Sequence, residues 1–217
     1  MGTNNKLKSC CQRNFQIEKP HLLIVEGKDD YQFFESFLEH LNLLSIQIFC
    51  LDGKNNLNNK LKALVRLPNF SLLESIGITR DSDDNPIGAF QSIQSALKNA
   101  GLAVPKEELT LAGKNPRISI CLIPGINQEG SLEDLCLEAI AEAQDRALDC
   151  VDAYFSCLRK NKIKFSKKVF KAKVQVFLAS RREYIPDLGI AAKRSVWPWD
   201  SHVFAKIKDF LFDLASK

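Results

Sequence analysis

No run of about eighteen apolar residues occurs anywhere in the 217-residue chain, and the first fifteen residues, MGTNNKLKSCCQRNF, lack the apolar core of a secretory signal. With neither a membrane span nor an export signal to read, a soluble cytoplasmic protein without a membrane partner is the expectation. The seven cysteines include no Cys-x-x-Cys pair, so a zinc ribbon and a thioredoxin-type motif lose their main support. Several cysteines sit in apolar runs such as ISICLIP and LEDLCLEAI, where a thiol behaves as a small buried apolar group. A glycine-rich phosphate loop is missing as well. His21, His40 and His202 are too scattered for a triad or a zinc site and are expected to be structural. Apart from the asparagine-rich KNNLNNK, read as a loop, no repeat or low-complexity tract occurs.

What is present fits one domain, or one domain with an appendage: 45% hydrophobic and 26% charged residues are enough to bury a core. The segments HLLIVEG, IQIFCLDG, the end of SLLESIGITRD, and RISICLIPG read as short apolar strands covered on both faces. Between them DDYQFFESFLEHLNL, NNLNNKLKALVRLP and IGAFQSIQSALKNAG carry helical spacing. Strands alternating with helices imply crossover connections and a parallel sheet of about four strands. From Ser131 the pattern turns almost wholly helical. The expected organisation is a flexible lead-in over 1–19, closed by Pro20, an α/β core over 20–130, and a helical extension over 131–217 packed on that core.

In an open parallel sheet, ligands collect beyond the carboxyl ends of the strands, so acids placed just after strands are the first candidates for chemistry. Glu26-Gly27-Lys28-Asp29-Asp30 follows the first strand; Gly27 permits a tight turn, and Asp30 can face back toward Glu26. Asp81-Ser82-Asp83-Asp84 follows the third. Alternate residues of an extended segment point the same way, so Asp81 and Asp83 can offer two carboxylates to one cation. Hard oxygen donors of this kind suit Mg²⁺ or Mn²⁺. Acids after strands also cap helix N-termini, but two such groups on one sheet would repel each other without a cation.

Other readings of these residues fit less well. A calcium loop starts well at Asp81, Asp83 and Asn85 but meets Pro86 and Ser92 where its glycine and bidentate glutamate belong. A phospho-receiver would end its first strand in paired aspartates and follow its last strand with a lysine; Glu26-Gly27 and Ile123-Pro124-Gly125 do neither.

An apolar strand, Glu-Gly-x-x-Asp, a later apolar strand and Asp-x-Asp together resemble the signature of Toprim domains, over roughly residues 20–125. Gly130-Ser131-Leu132-Glu133-Asp134 resembles the extra acidic motif of the OLD-family nuclease branch, among small stand-alone Toprim forms. The resemblance implies a Toprim-like (Rossmann-like) fold and a Mg²⁺- or Mn²⁺-dependent nuclease cutting DNA or RNA. It implies Glu26 as metal ligand or general base, Asp81 and Asp83 as metal ligands, Asp30 and Glu133 as supporting ligands, and Asp29, Asp84 and Asp134 as alternates. No ATPase motif precedes the domain, so a full OLD-type enzyme is not expected, nor is topoisomerase or primase activity. A catalytically silent module that binds nucleic acid or a protein partner stays open, as does self-association.

The net charge of +4 is modest but uneven: Arg159, Lys160, Lys162, Lys164, Lys167, Lys168, Lys171 and Lys173 occur together without one acid between them. Such a stripe would attract a phosphodiester backbone through residues such as Lys160, Lys164, Lys167 and Lys168. Lys171 or Lys173 is the candidate for stabilising charge on the scissile phosphate. The same lysines could form a solvated helix face above Phe170, Val174 and Phe177. Trp197, Trp199 and Phe204 could stack on bases but are expected to pack before the last helix.

Overall fold

The computed structural model describes residues 15–216. The apolar segments form β1 (His21–Val25), β2 (Ile46–Cys50), β3 (Ser75–Asp81) and β4 (Arg117–Ile123). They make one parallel sheet in the order β2-β1-β3-β4. Leu22 and Ile24 face one core and Leu23 and Val25 the other, which is why β1 is continuously apolar instead of alternating.

The crossover helices are α1 (Lys28–His40), α2 (Leu57–Leu64) and α3 (Pro86–Asn99). The step from β1 to β2 runs one way along the sheet, while the steps from β2 to β3 and β3 to β4 run the other way. Right-handed crossovers therefore set α1 on the face opposite α2 and α3. The two core clusters divide accordingly, with Phe33, Phe34 and Phe37 of α1 in one and Leu61, Phe90 and Ile93 of α2 and α3 in the other. The direction reverses between β1 and β3, so a crevice opens beyond their carboxyl ends.

Five further helices follow: α4 (Leu132–Glu142), α5 (Ala147–Lys160), α6 (Val169–Ala179), α7 (Leu188–Lys193) and α8 (Ala205–Ala215). Their buried side chains join those of α1 and one face of the sheet in a continuous cluster. At β3 the approach of α8 is so close that a Cβ on Gly77 would lie 2.8 Å from Leu214 Cδ2 and from Phe210 Cζ. The α7 helix was not apparent in the periodicity. Its six residues are too short for a pattern, yet Asp187 accepts from the Ile190 N–H at 2.7 Å as N-cap, and Gly189 lets it lie against Gln32 of α1.

Trp197, Trp199 and Phe204 are packed, as expected: Trp199 stacks on Phe37 at 5.0 Å, and Phe204 lies against Phe33. The histidines also serve structure. Buried His21 meets Ser75 Oγ at 2.9 Å while that hydroxyl donates to the Leu214 carbonyl, so Ser75 is left to accept from Nδ1. His40 pairs with Asp200 at 3.6 Å and His202 with Glu142 at 2.5 Å. Cys121 and Cys136 are free and buried, whereas Cys150 and Cys157 of α5 are free and exposed.

Residues 15–19, expected to be part of the lead-in, lie instead along β2. Phe15 meets Phe49 at a ring separation of 4.6 Å, Ile17 is buried, and the Glu18 N–H donates to Gln47 Oε1. Phe15 and Ile17, two positions apart, give this stretch something to bury. The remainder of the expected lead-in falls outside the described residues.

Candidate functional site

The crevice at the β1–β3 reversal is lined by the acids that follow those strands. Glu26 leaves β1 with its Oε2 buried and without a hydrogen-bond partner among the described residues. Arg80, the second-last residue of β3, brings its Nε to 3.9 Å from that oxygen, and this Nε is likewise buried and unpaired. Gly27 is in an extended conformation, so left-handed backbone is not what the position requires. Its value lies in close approach: Asp30 Oδ2 accepts the Gly27 N–H at 2.8 Å, and a Cβ there would stand 3.2 Å from the same oxygen. Asp30 thus turns back toward Glu26 as expected, while also capping α1.

Asp81 ends β3, and its Oδ1 accepts the Leu132 N–H at 3.0 Å, which anchors the first turn of α4 to the sheet. Ser82 turns inward and donates to the Gly125 carbonyl at 2.8 Å. The expected alternation stops at Asp83, whose φ of 49° is left-handed; it forms an antiparallel bridge with Gly130. Its carboxylate is held by Lys54 at 2.9 Å. Because α4 starts at Asp81, Glu133 is carried to the same crevice, where Lys171 of α6 lies 3.5 Å away.

These carboxylates disturb one another. Burial pushes the Asp81 carboxyl well above the usual carboxylate range, and the charges of Asp30, Glu133 and Glu26 add to it. Asp30 is pushed up to about 7, chiefly by burial, with Glu26, Glu133 and Asp29 adding to the rise against the Gly27 hydrogen bond. Glu26 is raised by burial, with Arg80 opposing and Asp83 reinforcing. Asp29 is raised by burial and then by Asp187, the N-cap of α7. Three chain-distant segments thus concentrate negative charge at one edge of the sheet.

The basic stripe divides at α6. Lys168 lies close enough to influence Glu26, and Lys171 binds Glu133. Lys168, the N-cap residue of α6, and Lys171, in its first turn, thus both meet the acids; Lys173 instead pairs with Asp152 of α5 at 2.5 Å with its Nζ over the Phe170 ring. Lys160, at the end of α5, and Lys164 and Lys167, on the α5–α6 connection, are exposed. Of the alternates, Asp84 is exposed and Asp134 is taken up by Ser131 at the start of α4.

The donor set is all oxygen, which suits a hard divalent cation, and the buried, unpartnered Glu26 Oε2 offers it an open ligand position. As the side chains stand, no three His, Cys, Asp or Glu groups among the described residues are gathered closely enough to hold a metal ion. The reason is visible in the pairings: Asp83 is held by Lys54, Asp81 by the Leu132 N–H and Asp30 by the Gly27 N–H. Arg80 and Lys54 were not singled out from the sequence. Arg80 could have been, as a charge inside an otherwise apolar strand; Lys54 sits in a loop that offers no such signal.

Residues 20–216 match the family model described as Protein of unknown function (DUF3226). The chain belongs to this family. No curated protein matches it. Among solved structures, this DUF3226 chain is similar to the C-terminal region of the Xanthomonas campestris pv. campestris OLD protein, with a TM-score of 0.50. The two share 14% identity over 91% of this chain and 96% of that one, a likeness of fold alone. Among the described residues no helix is long and apolar enough to cross a membrane.

Proposed function

We propose that this chain is a nuclease of Toprim type, hydrolysing phosphodiester bonds in DNA or RNA with Mg²⁺ or Mn²⁺ held by Glu26, Asp81 and Asp83, and with Asp30 and Glu133 in support. The observation that carries the reading is that Glu26 and Glu133 come close enough to buried Asp30 and Asp81 at the β1–β3 reversal for their charges to add to the raised proton affinity of both. Such repulsion is costly unless a cation or protons offset it. A divalent cation bound there would supply Lewis-acid stabilisation of charge on a phosphate oxygen.

The chain's own groups have separate tasks. Glu26 is a ligand of the cation or, where Asp81 and Asp83 hold it, the base that takes a proton from the attacking water. Arg80 and Lys171 flank the acids and meet the negative charge that grows on the phosphate. Lys160, Lys164, Lys167 and Lys168 guide the nucleic-acid backbone to that edge. Incubation of purified protein with labelled single- and double-stranded DNA and RNA and Mn²⁺ should give cleavage that Asp81→Ala abolishes. Cleavage surviving in that variant would sink the assignment.

The pairing of Asp83 with Lys54 and the capping role of Asp30 favour a second reading, a catalytically silent module that binds nucleic acid or a protein partner. Calorimetric titration separates the two: Mn²⁺ binding that depends on Glu26 and Asp83 supports the nuclease. Nucleic-acid binding indifferent to a chelator, with no Mn²⁺ uptake, supports the module.

A further inference from the structure

Beside the acids, between α2 and α3, lies a cleft of about 270 Å³ lined by Lys54, Asn55, Asn58, Arg80, Ser92 and Ser95. Leu57 and Ala96 add an apolar patch; the rest of the lining is amides, hydroxyls and two cations, with no carboxylate. Both cations are shared with the acidic edge, since Lys54 holds Asp83 at 2.9 Å and Arg80 approaches Glu26 at 3.9 Å. The Lys54 pairing is a full hydrogen bond, but the Arg80 one is not: Arg80 Nε has no hydrogen-bond partner among the described residues. Arg80 spends one further donor on Ser92 Oγ at 3.2 Å, which holds its guanidinium across the cleft. Two cations beside amide and hydroxyl side chains, with no carboxylate among them, suit a ligand with a phosphate and a polar group next to it.

We infer that this cleft binds one phosphorylated nucleoside unit, with Lys54 and Arg80 on its phosphate and Asn55, Asn58 and Ser95 on its sugar or base. The volume is close to the lower end of small-ligand sites, which suits one unit and not a duplex. This inference deepens the nuclease reading and rests on it for its place beside the acids. It names the subsite that holds the nucleotide next to the bond cut. Phosphate binding also competes with Asp83 for Lys54, and so leaves that carboxylate available to a cation.

The chemistry could come from a free nucleotide or from the end of a strand, and titrations in chelator separate the two. The full chain is titrated by calorimetry with nucleoside 5′-monophosphates and with a short 5′-phosphorylated oligonucleotide. Because no cation is present, binding here is judged apart from cleavage, and failure of either leaves the other standing. The expected result is saturable binding by the parent, weakened at least tenfold in Lys54→Gln and in Ser95→Trp, which fills the cleft from an exposed position. Both variants should melt with the parent. Tighter binding of the oligonucleotide assigns the strand end, and equal binding assigns the free nucleotide. No binding by the parent, or binding that Ser95→Trp leaves unchanged, overturns the inference.

Discussion

Asp30 shows how one side chain serves two demands. Its carboxylate satisfies the Gly27 N–H at the start of α1, and it also stands among Glu26, Glu133 and Asp29, with its proton affinity pushed up to about 7. The stability consequence has a definite sign. A carboxyl raised in the folded state binds more protons there than in the unfolded chain, so it costs stability above its folded value and ceases to do so below about 3.8, the unfolded value. Asn can still accept the Gly27 N–H without a charge. Metal-free Asp30→Asn should therefore melt above the parent at about pH 8, and the difference should narrow as pH falls toward about 5. Thermal melts in chelator across that range check it; a difference that widened toward low pH would contradict the placement of this charge.

At the scale of elements, the strands and crossover helices were readable because each strand is covered on both faces and each helix turns one apolar stripe inward. HLLIV and RISICLI could hardly be anything but buried strands once helices were seen between them. What was not readable came from contacts distant in sequence. Lys54 reaches Asp83 only after α2 and α3 have been laid on one face of the sheet. Glu133 reaches the acids because Leu132 is bonded to Asp81 across fifty-one positions of chain. Asp83 departs from the strand alternation because its bridge to Gly130 sets a left-handed backbone that no periodicity reports.

The same applies to α8, whose docking depends on Gly77. Gly77→Val would drive side-chain atoms into Leu214 and Phe210, both buried and without room to yield. Overpacking of this kind costs about 1–3 kcal/mol, less whatever the valine gains in strand preference. For a chain of this size Tm should fall by roughly 2–4 °C for each kcal/mol. An unchanged Tm would mean that α8 does not seat on β3 as described.

The whole molecule carries a small net charge but a steep local one: a row of acids along the end of the sheet, and beside it the lysines at the end of α5 and on the α5–α6 connection. A polyanion would be repelled by the first and drawn by the second, so its path should follow the basic connection and reach the acids only at Lys168 and Lys171. The lysines at 160, 164, 167 and 168 are exposed, so replacing all four by glutamine should leave Tm within about a degree or two of the parent. Nucleic-acid affinity should behave differently. Each phosphate neutralised contributes roughly 0.9 to the salt slope on duplex DNA, so the quadruple variant should show a slope shallower by about 3–4, with affinity lost most at low salt. Fluorescence anisotropy with one labelled duplex over a range of potassium chloride concentrations measures both quantities. If the slope stays as steep as the parent's, these lysines are a solvated face, and the backbone must approach the acids from the α2–α3 side, where Lys54 and Arg80 stand.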